Sequence, residues 1–446
     1  MRLARRGAET APGVALLPWG DVFEDFLDGV GVRFERFCDE MTGGWLFGYA
    51  EALQRAGYRP VIVCFLAGAT RPERYVHRGT GCSVWALPAA RSHLALRGLL
   101  RGRRRLRRPV REAVSRAATL LGTPLRPLAQ VLRRERCAGI VCQEYEYARF
   151  DACVLLGRVL GLPVLATFQG GLPGGGLSRH IRAFTVPRAA ALLIGDASEA
   201  ERVVRSYRLA PDRVVRLPNP LDVAEWRPGD QAEARRELGI PAGARVAAWH
   251  GRVDIHRKGL DVLVDAWDEV CAARPGADLR LLLLGSGDDA DALRRRIDGA
   301  GLRGITWRAE YVLDRQAVRR QLAAADLFVL PSRHEGFAVA PLEAMACGRP
   351  VVAADAPGVL DCLGDGESGL VVPRGDAPAM AAALGRLLDD PRTAAALGRL
   401  ARRRVEDRYS LDRVGVELKA LLDAVLGERA QGRSQDEIRG RASGAT

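Results

Sequence analysis

Two series of short apolar segments, each alternating with helix-like patterns, constrain this chain more than any other feature. In the first series residues 14–17, 61–65, 140–142, 164–167 and 191–194 read as strands. Residues 45–56 between them read as a helix, with Thr42 near its start and Gly57 as the left-handed residue past its end. Ser198-Glu199-Ala200-Glu201 reads as a capping box opening a later helix. The series breaks at Leu217-Pro218-Asn219-Pro220-Leu221-Asp222, where two prolines remove donors and fix the backbone. A second series follows at 246–249, 281–284, 327–330, 351–353 and 370–372, and Ser410 starts a last helix to about Leu426. Strands alternating with helices imply parallel sheets covered on both faces, hence an α/β fold. The expected division is a disordered N-terminus 1–12, a first domain 13–218, a second domain 219–405, a C-terminal helix 406–426 and a disordered tail 427–446.

The 446 residues suffice for two domains with cores of their own. No run approaches the ~18 apolar residues of a spanning helix. MRLARRGAETAPG has no apolar stretch after its arginines, so no signal peptide is expected. The nine scattered cysteines, none in a Cys-x-x-Cys pair, read as buried free thiols of a reducing compartment. The net charge of +13 is local: residues 91–136 hold fourteen Arg against Glu112 and Glu135, which is +12. Among so many arginines only two lysines occur, Lys258 and Lys419, which suggests that a compact ammonium is needed where one persists.

Two stretches could carry chemistry. Gly251-Arg252-Val253-Asp254-Ile255-His256-Arg257-Lys258-Gly259 follows a strand and opens a helix. Ligands of such sheets sit at the carboxyl ends of strands, and helix N-termini attract phosphate, so Arg252 and Lys258 would stand beside a diphosphate. The alternative is an ordinary solvated loop. Ser332-Arg333-His334-Glu335-Gly336-Phe337 also follows a strand. Pro341 fits the first position of the next helix, Glu343 its first turn and Gly348 its end. Glu343 alone could be no more than a dipole partner, and two carboxylates at one strand end could suggest a glycosidase pair. Gly43-Gly44, Gly285-Ser286-Gly287 and Gly358 are weaker turn signals. The six histidines lack metal-ligand spacing, so no metal site is expected.

Together these stretches resemble the retaining glycosyltransferases of family 4, the group 1 glycosyl transferases. Glu335 and Glu343, with seven residues between them inside EGFAVAPLEAMACGRPVVA, match the family's paired glutamates. GRVDIHRKG, LLLLGSGD, PGVLDCLGDGESGLVVPRGD, LPNPLDVAEWRP and TGGWLFGYAEALQRAGYRPVIV are similar to its other motifs. The resemblance implies a GT-B fold: two Rossmann-like domains facing a cleft, with the C-terminal helix crossing back to the first. It implies catalytic roles for Arg252, Lys258 and Glu335, with Arg252 and Lys258 on the donor diphosphate, Glu335 on the donor sugar and Glu343 on the ribose. Gly43, Gly44, Gly285, Gly336, Phe337 and Ala338 would complete the donor site. The base would lie near 285–288 and 307–311. It implies retention of configuration, no protein nucleophile, no metal and no cofactor beyond the nucleotide-sugar co-substrate. Gln169 stands where many members have His, on the acceptor side; Pro220 replaces a Gly, Asp361 a Glu, and residues 21–42 look like an insertion.

The expected partners are a nucleotide-sugar and a glycan or lipid-linked acceptor, and the expected location is cytoplasmic. Fourteen arginines with Leu94, Leu96, Leu99, Leu100 and Leu106 also fit a peripheral surface on the anionic inner face of the plasma membrane. A solvated helical arm is the bland alternative. Nucleic acid is disfavoured, since 91–136 holds no aromatic residue for base stacking. The competing readings are a GT-B nucleotide-sugar epimerase and a non-catalytic protein binding an anionic surface. A phosphorylase would need a cofactor lysine, and neither lysine is spare.

Overall fold

The structure is a computed structural model that describes residues 11–443 except 19, 103–107, 172–176 and 365. Most of the expected N-terminal tail, part of the basic segment and residues 444–446 therefore lie outside the described residues. The first sheet holds β1 (Gly13–Leu17), β2 (Arg59–Leu66), β3 (Glu73–Val76), β4 (Ser83–Pro88), β5 (Cys137–Cys142), β6 (Val164–Thr167), β7 (Ala191–Leu193) and β8 (Val214–Val215). Their order is β3-β4-β2-β1-β5-β6-β7-β8, parallel apart from the β3–β4 pair. The second sheet holds β9 (Arg245–His250), β10 (Leu279–Leu284), β11 (Ile305–Arg308), β12 (Leu327–Leu330), β13 (Val351–Ala354) and β14 (Gly369–Val372). It is parallel throughout, in the order β11-β10-β9-β12-β13-β14.

Each sheet is buried on both faces. Ala15, Val61 and Val63 face one core cluster while Val14, Leu16 and Ile62 face another; Ala247 and Val246 divide likewise in the second sheet. Two-sided burial explains why these strands read as continuous apolar runs. The strands β3, β4, β8 and β11 are not among those the sequence predicts. Three of these, β3, β8 and β11, are edge strands, where alternation or brevity blurs the apolar signal.

The helix Leu411–Ser443 crosses back to the first domain. Val414, Leu418 and Leu422 join the core around Leu53 and Tyr49, and Tyr58 Oη donates to Asp423 at 2.6 Å. Its backbone continues beyond Leu426, so 427–443 do not form the expected disordered tail. No proline interrupts this stretch, and Glu, Arg, Ala and Gln favour helix. Two caps also differ from expectation. The helix Ala197–Tyr207 is capped by Asp196, whose carboxylate accepts from Glu199 N, while Ser198 Oγ donates to Asp196. The helix Val339–Ala346 begins before Pro341, so Pro341 sits third and Glu343 lies in the second turn. A third-position proline is tolerated because the first N–H groups have no intrahelical partner.

All nine cysteines are free, eight of them buried. Residues 21–42 form two short helices, Glu24–Val30 and Phe34–Asp39, packed into the first domain through Phe23, Leu27 and Phe37.

Candidate functional site

The strand orders place two crevices opposite one another. Neighbours of β9 lead away in opposite directions at β10 and β12, and those of β1 at β2 and β5. Ligands of open α/β sheets bind outside the carboxyl ends at such points. Residues leaving β9 and β12, with Gln143 and Glu144 leaving β5, line one inter-domain cleft of about 550 Å³. A smaller pocket of about 210 Å³ continues from it, sharing His250, Gly251, Arg252 and Val339.

Lys258, at the end of the short helix Ile255–Lys258, reaches Glu335 after β12. Its Nζ donates to both carboxylate oxygens at 2.7 and 2.9 Å. Glu335 is buried at 5% exposure, so the pair is largely withdrawn from water. Arg252 lines the same cleft, and among the described residues no carboxylate pairs with it. The helix Val339–Ala346 points its N-terminus here: its cap is Ala338, with no side-chain hydrogen bond, so its first N–H groups remain available. Two cations and an uncapped helix start around a buried carboxylate suit an anionic group joined to a hydroxyl-rich one.

Glu343 lies in the smaller pocket with Gly43, Gly44 and Gly285. His250 Nε2 lies 2.7 Å from Glu343 Oε2, leaving the second oxygen without a protein partner among the described residues. Gly285 has φ +135°, and a Cβ there would lie 1.9 Å from Gly251 O, which fits a turn closed by backbone contact. Trp307 Nε1 donates to Gly285 O at 3.0 Å. Phe337 is buried and lines the cleft with Gly336 and Ala338.

The domains touch backbone to backbone at this cleft. A Cβ on Gly336 would lie 2.2 Å from Gly170 N, and His334 Nε2 is 2.9 Å from Gly170 O. Gln169 reaches the cleft, but its amide is engaged: Nε2 donates to Thr167 Oγ1 and Asn219 Oδ1, and Asn219 Nδ2 donates back and to Phe337 O. Asp361 fastens the domains elsewhere, accepting from Ala197 N at 2.8 Å and pairing with Arg216 at 2.5 Å.

Several site residues were not singled out from the sequence. His250 had a signal: a polar residue ending an otherwise apolar strand. Arg315 lines the smaller pocket from the start of the helix Arg315–Ala324 and pairs with Glu225; nothing in its local sequence separates it from a solvated helix residue. Glu144 is buried in the cleft wall and accepts from the backbone N–H groups of Glu146, Gln169 and Gly171. Burial pushes its carboxyl up to about 7 against the pull of those three N–H groups. Among the described residues no group of His, Cys, Asp and Glu could hold a metal, and no helix is long and apolar enough to cross a membrane.

Residues 244–390 match the family model of the glycosyl transferases group 1. A D-inositol 3-phosphate glycosyltransferase of Nocardia farcinica is 36% identical over 210 residues, 46% of each chain. One of Saccharomonospora viridis is 36% identical over 244 residues, 53% of this chain and 56% of its own. The chain thus spans about half the length of the curated relatives it matches. Sucrose-phosphate synthase from Thermosynechococcus elongatus superposes with a TM-score of 0.68 over 94% of this chain and 100% of its own, at 21% identity. Anabaena HepE in complex with UDP and glucose superposes with a TM-score of 0.67 over 93% and 100%, at 15% identity. These two likenesses establish the shared fold.

Proposed function

We propose that this chain moves a sugar from a nucleotide-sugar to a glycan or lipid-linked acceptor, with retention of configuration; the match of residues 244–390 to the glycosyl transferases group 1 and the GT-B fold support this. The observation that carries this reading is the convergence of the Lys258–Glu335 pair, the unpaired Arg252 and the uncapped start of the helix Val339–Ala346 on one inter-domain cleft. The donor diphosphate lies between the two cations and the helix start. Charge developing on the leaving nucleotide is stabilised there by groups already in place. Glu335 turns its oxygens to the sugar hydroxyls as Lys258 engages phosphate. The free oxygen of Glu343 accepts from a ribose hydroxyl, and the base lies toward Gly285 and Trp307. No protein nucleophile, metal or cofactor is invoked. HepE is described with UDP, which makes a uridine nucleotide the first donor to try.

NMR of the anomeric protons tests the reading directly. UDP-, GDP-, ADP- and TDP-glucose are each incubated with the protein in excess chelator. One donor is consumed and its product keeps the donor's anomeric configuration. An inverted product, or complete loss of turnover in chelator, contradicts the proposal.

A further inference from the structure

Of residues 21–42, Phe26 lines the larger cleft and Thr42 the smaller pocket, yet the segment also builds a cavity beside them. Phe23, Phe26, Phe37, Met41, Trp45 and Phe47 enclose a pocket of about 240 Å³ behind the Gly43–Gly44 turn. Phe23 and Phe37 meet edge to face at 4.9 Å, and Phe37 and Phe47 lie 5.6 Å apart, so the wall is a contiguous aromatic cluster. It is pinned from outside: Phe23 N donates to Phe65 O at 2.8 Å, Gly68 N to Glu24 at 2.9 Å, and Arg97 clamps Asp25 with both terminal nitrogens. Phe26, Trp45 and Gln143 line both this pocket and the reaction cleft.

Interiors are close-packed, so a pinned apolar space of this size beside a reaction cleft points to an occupant. The wall chooses its class. Gln143, Tyr311 and the Trp45 indole, whose buried Nε1 has no partner among the described residues, offer the polar side chains, and burial pushes the Tyr311 hydroxyl up to about 12, so it stays neutral. A sugar ring carries several hydroxyls, and each one buried without a partner costs roughly 1–3 kcal/mol. An apolar ring pays no such penalty, and a cavity of about 150 Å³ lined by aliphatic and aromatic groups takes up benzene.

We infer that this pocket is an acceptor subsite for an apolar aglycone of one to two rings, which holds the nucleophilic hydroxyl at the Gln143 mouth of the cleft. The inference rests on the transferase reading above. The aglycone enters past Phe26 and Trp45, while the donor approaches from the second domain.

The test uses 2-naphthol and naphthyl glucoside as probes. Calorimetry measures 2-naphthol binding to the wild type, to Leu46→Trp, which fills the pocket, and to Met41→Ala, which widens it. Thermal melting and nucleoside diphosphate binding serve as folding and donor-site controls. Leu46→Trp weakens 2-naphthol about tenfold or more, the scale of one poorly accommodated ring, and leaves nucleotide affinity unchanged. Met41→Ala shifts preference toward the larger 4-phenylphenol. In turnover, naphthyl glucoside exceeds methyl glucoside as acceptor, and Leu46→Trp erases the difference. Failure of 2-naphthol to bind the wild type, equal binding to both variants, or equal turnover of the two glucosides overturns the inference. If 2-naphthol binds as described but no nucleoside diphosphate does, the transferase reading falls and the pocket is a site for aromatic ligands of another protein class.

Discussion

The two halves of the cleft are built on opposite plans. In the second domain the chemistry sits in two compact stretches, 250–259 and 332–343, each leaving a strand at the point where the sheet order reverses. In the first domain the wall is gathered from distant segments: Phe26 and Trp45, Gln143 and Glu144, and the Gln169–Gly171 loop. The second domain offers unpaired or exchangeable charge, in Arg252 and the Lys258–Glu335 pair. The first offers aromatic rings and side chains already engaged, Glu144 with backbone N–H groups and Gln169 with the Thr167 and Asn219 side chains. The difference teaches that the donor half is preorganised for one kind of ligand, whereas the acceptor half is a fixed frame whose lining sets the partner.

Breaking the donor half should cost most. Lys258→Ala removes a cation placed for the leaving diphosphate and should lower kcat/KM by about 10²–10³-fold, the scale of losing one preorganised stabilising group. It also strands Glu335, so Tm falls. Adding Glu335→Gln to the same chain should restore Tm and leave activity low. Recovery of activity together with Tm would make the pair structural and erase the contrast between the halves.

The frame of the acceptor half should show itself through pH. Burial raises the Glu144 carboxyl from its usual 4.5 to about 7 in the folded protein. A carboxyl raised by folding binds its proton more tightly folded than unfolded. Its stabilising contribution is therefore complete below about 4.5 and is lost as pH rises through about 7. Denaturant melts at pH 5 and pH 8 should show the wild type losing up to a few kcal/mol more than Glu144→Gln between the two. Parallel losses in the two proteins would place Glu144 outside the titrating groups.

The smallest effect concerns the outer surface of that half. Leu99, Val110 and Leu125 are exposed on helices Arg91–Gly102, Arg108–Leu120 and Leu125–Arg134 among the arginines, and Leu121 is exposed in the turn after the second. Attraction to an anionic surface is worth about 1 kcal/mol per arginine near it and is screened within about 10 Å at 0.1 M salt. Co-sedimentation should therefore capture the protein on anionic vesicles, not on neutral ones, and salt should release it. Equal binding to both vesicle types, or none, would leave these helices as a solvated arm.

Legibility in the sequence follows the same division. Lys258 and Glu335 could be singled out because each lies in the stretch that leaves a strand end, and Glu343 because it sits on the helix that follows at a fixed spacing from Glu335; local spacing carries that information. Glu343 still shifted from the first to the second helical turn, because the helix starts at Val339 ahead of its proline. His250 carries a faint signal as the one polar residue ending an apolar strand, whereas Arg315 is lost among ordinary helix charges. Glu144 could not be picked out, since its role depends on Gln169 and Gly171 some twenty-five residues away. The aromatic content of 21–42 was visible, but the pocket it makes needs Trp45, Phe47 and Tyr311 from other elements. The strands β3 and β11 were faint because an edge strand buries only one face.

Calorimetric titration of UDP, GDP, ADP and TDP into the wild type and into an Arg252→Ala, Lys258→Ala double variant tests the central claim most directly. One nucleoside diphosphate should bind the wild type. The double variant should lose about 100-fold or more in affinity for it, two charge-assisted contacts at roughly 1.5–3 kcal/mol each, while melting cooperatively as a folded protein. Equal affinity in the two proteins, or no binding of any of the four to the wild type, would contradict the placement of a nucleotide-sugar site between these two domains.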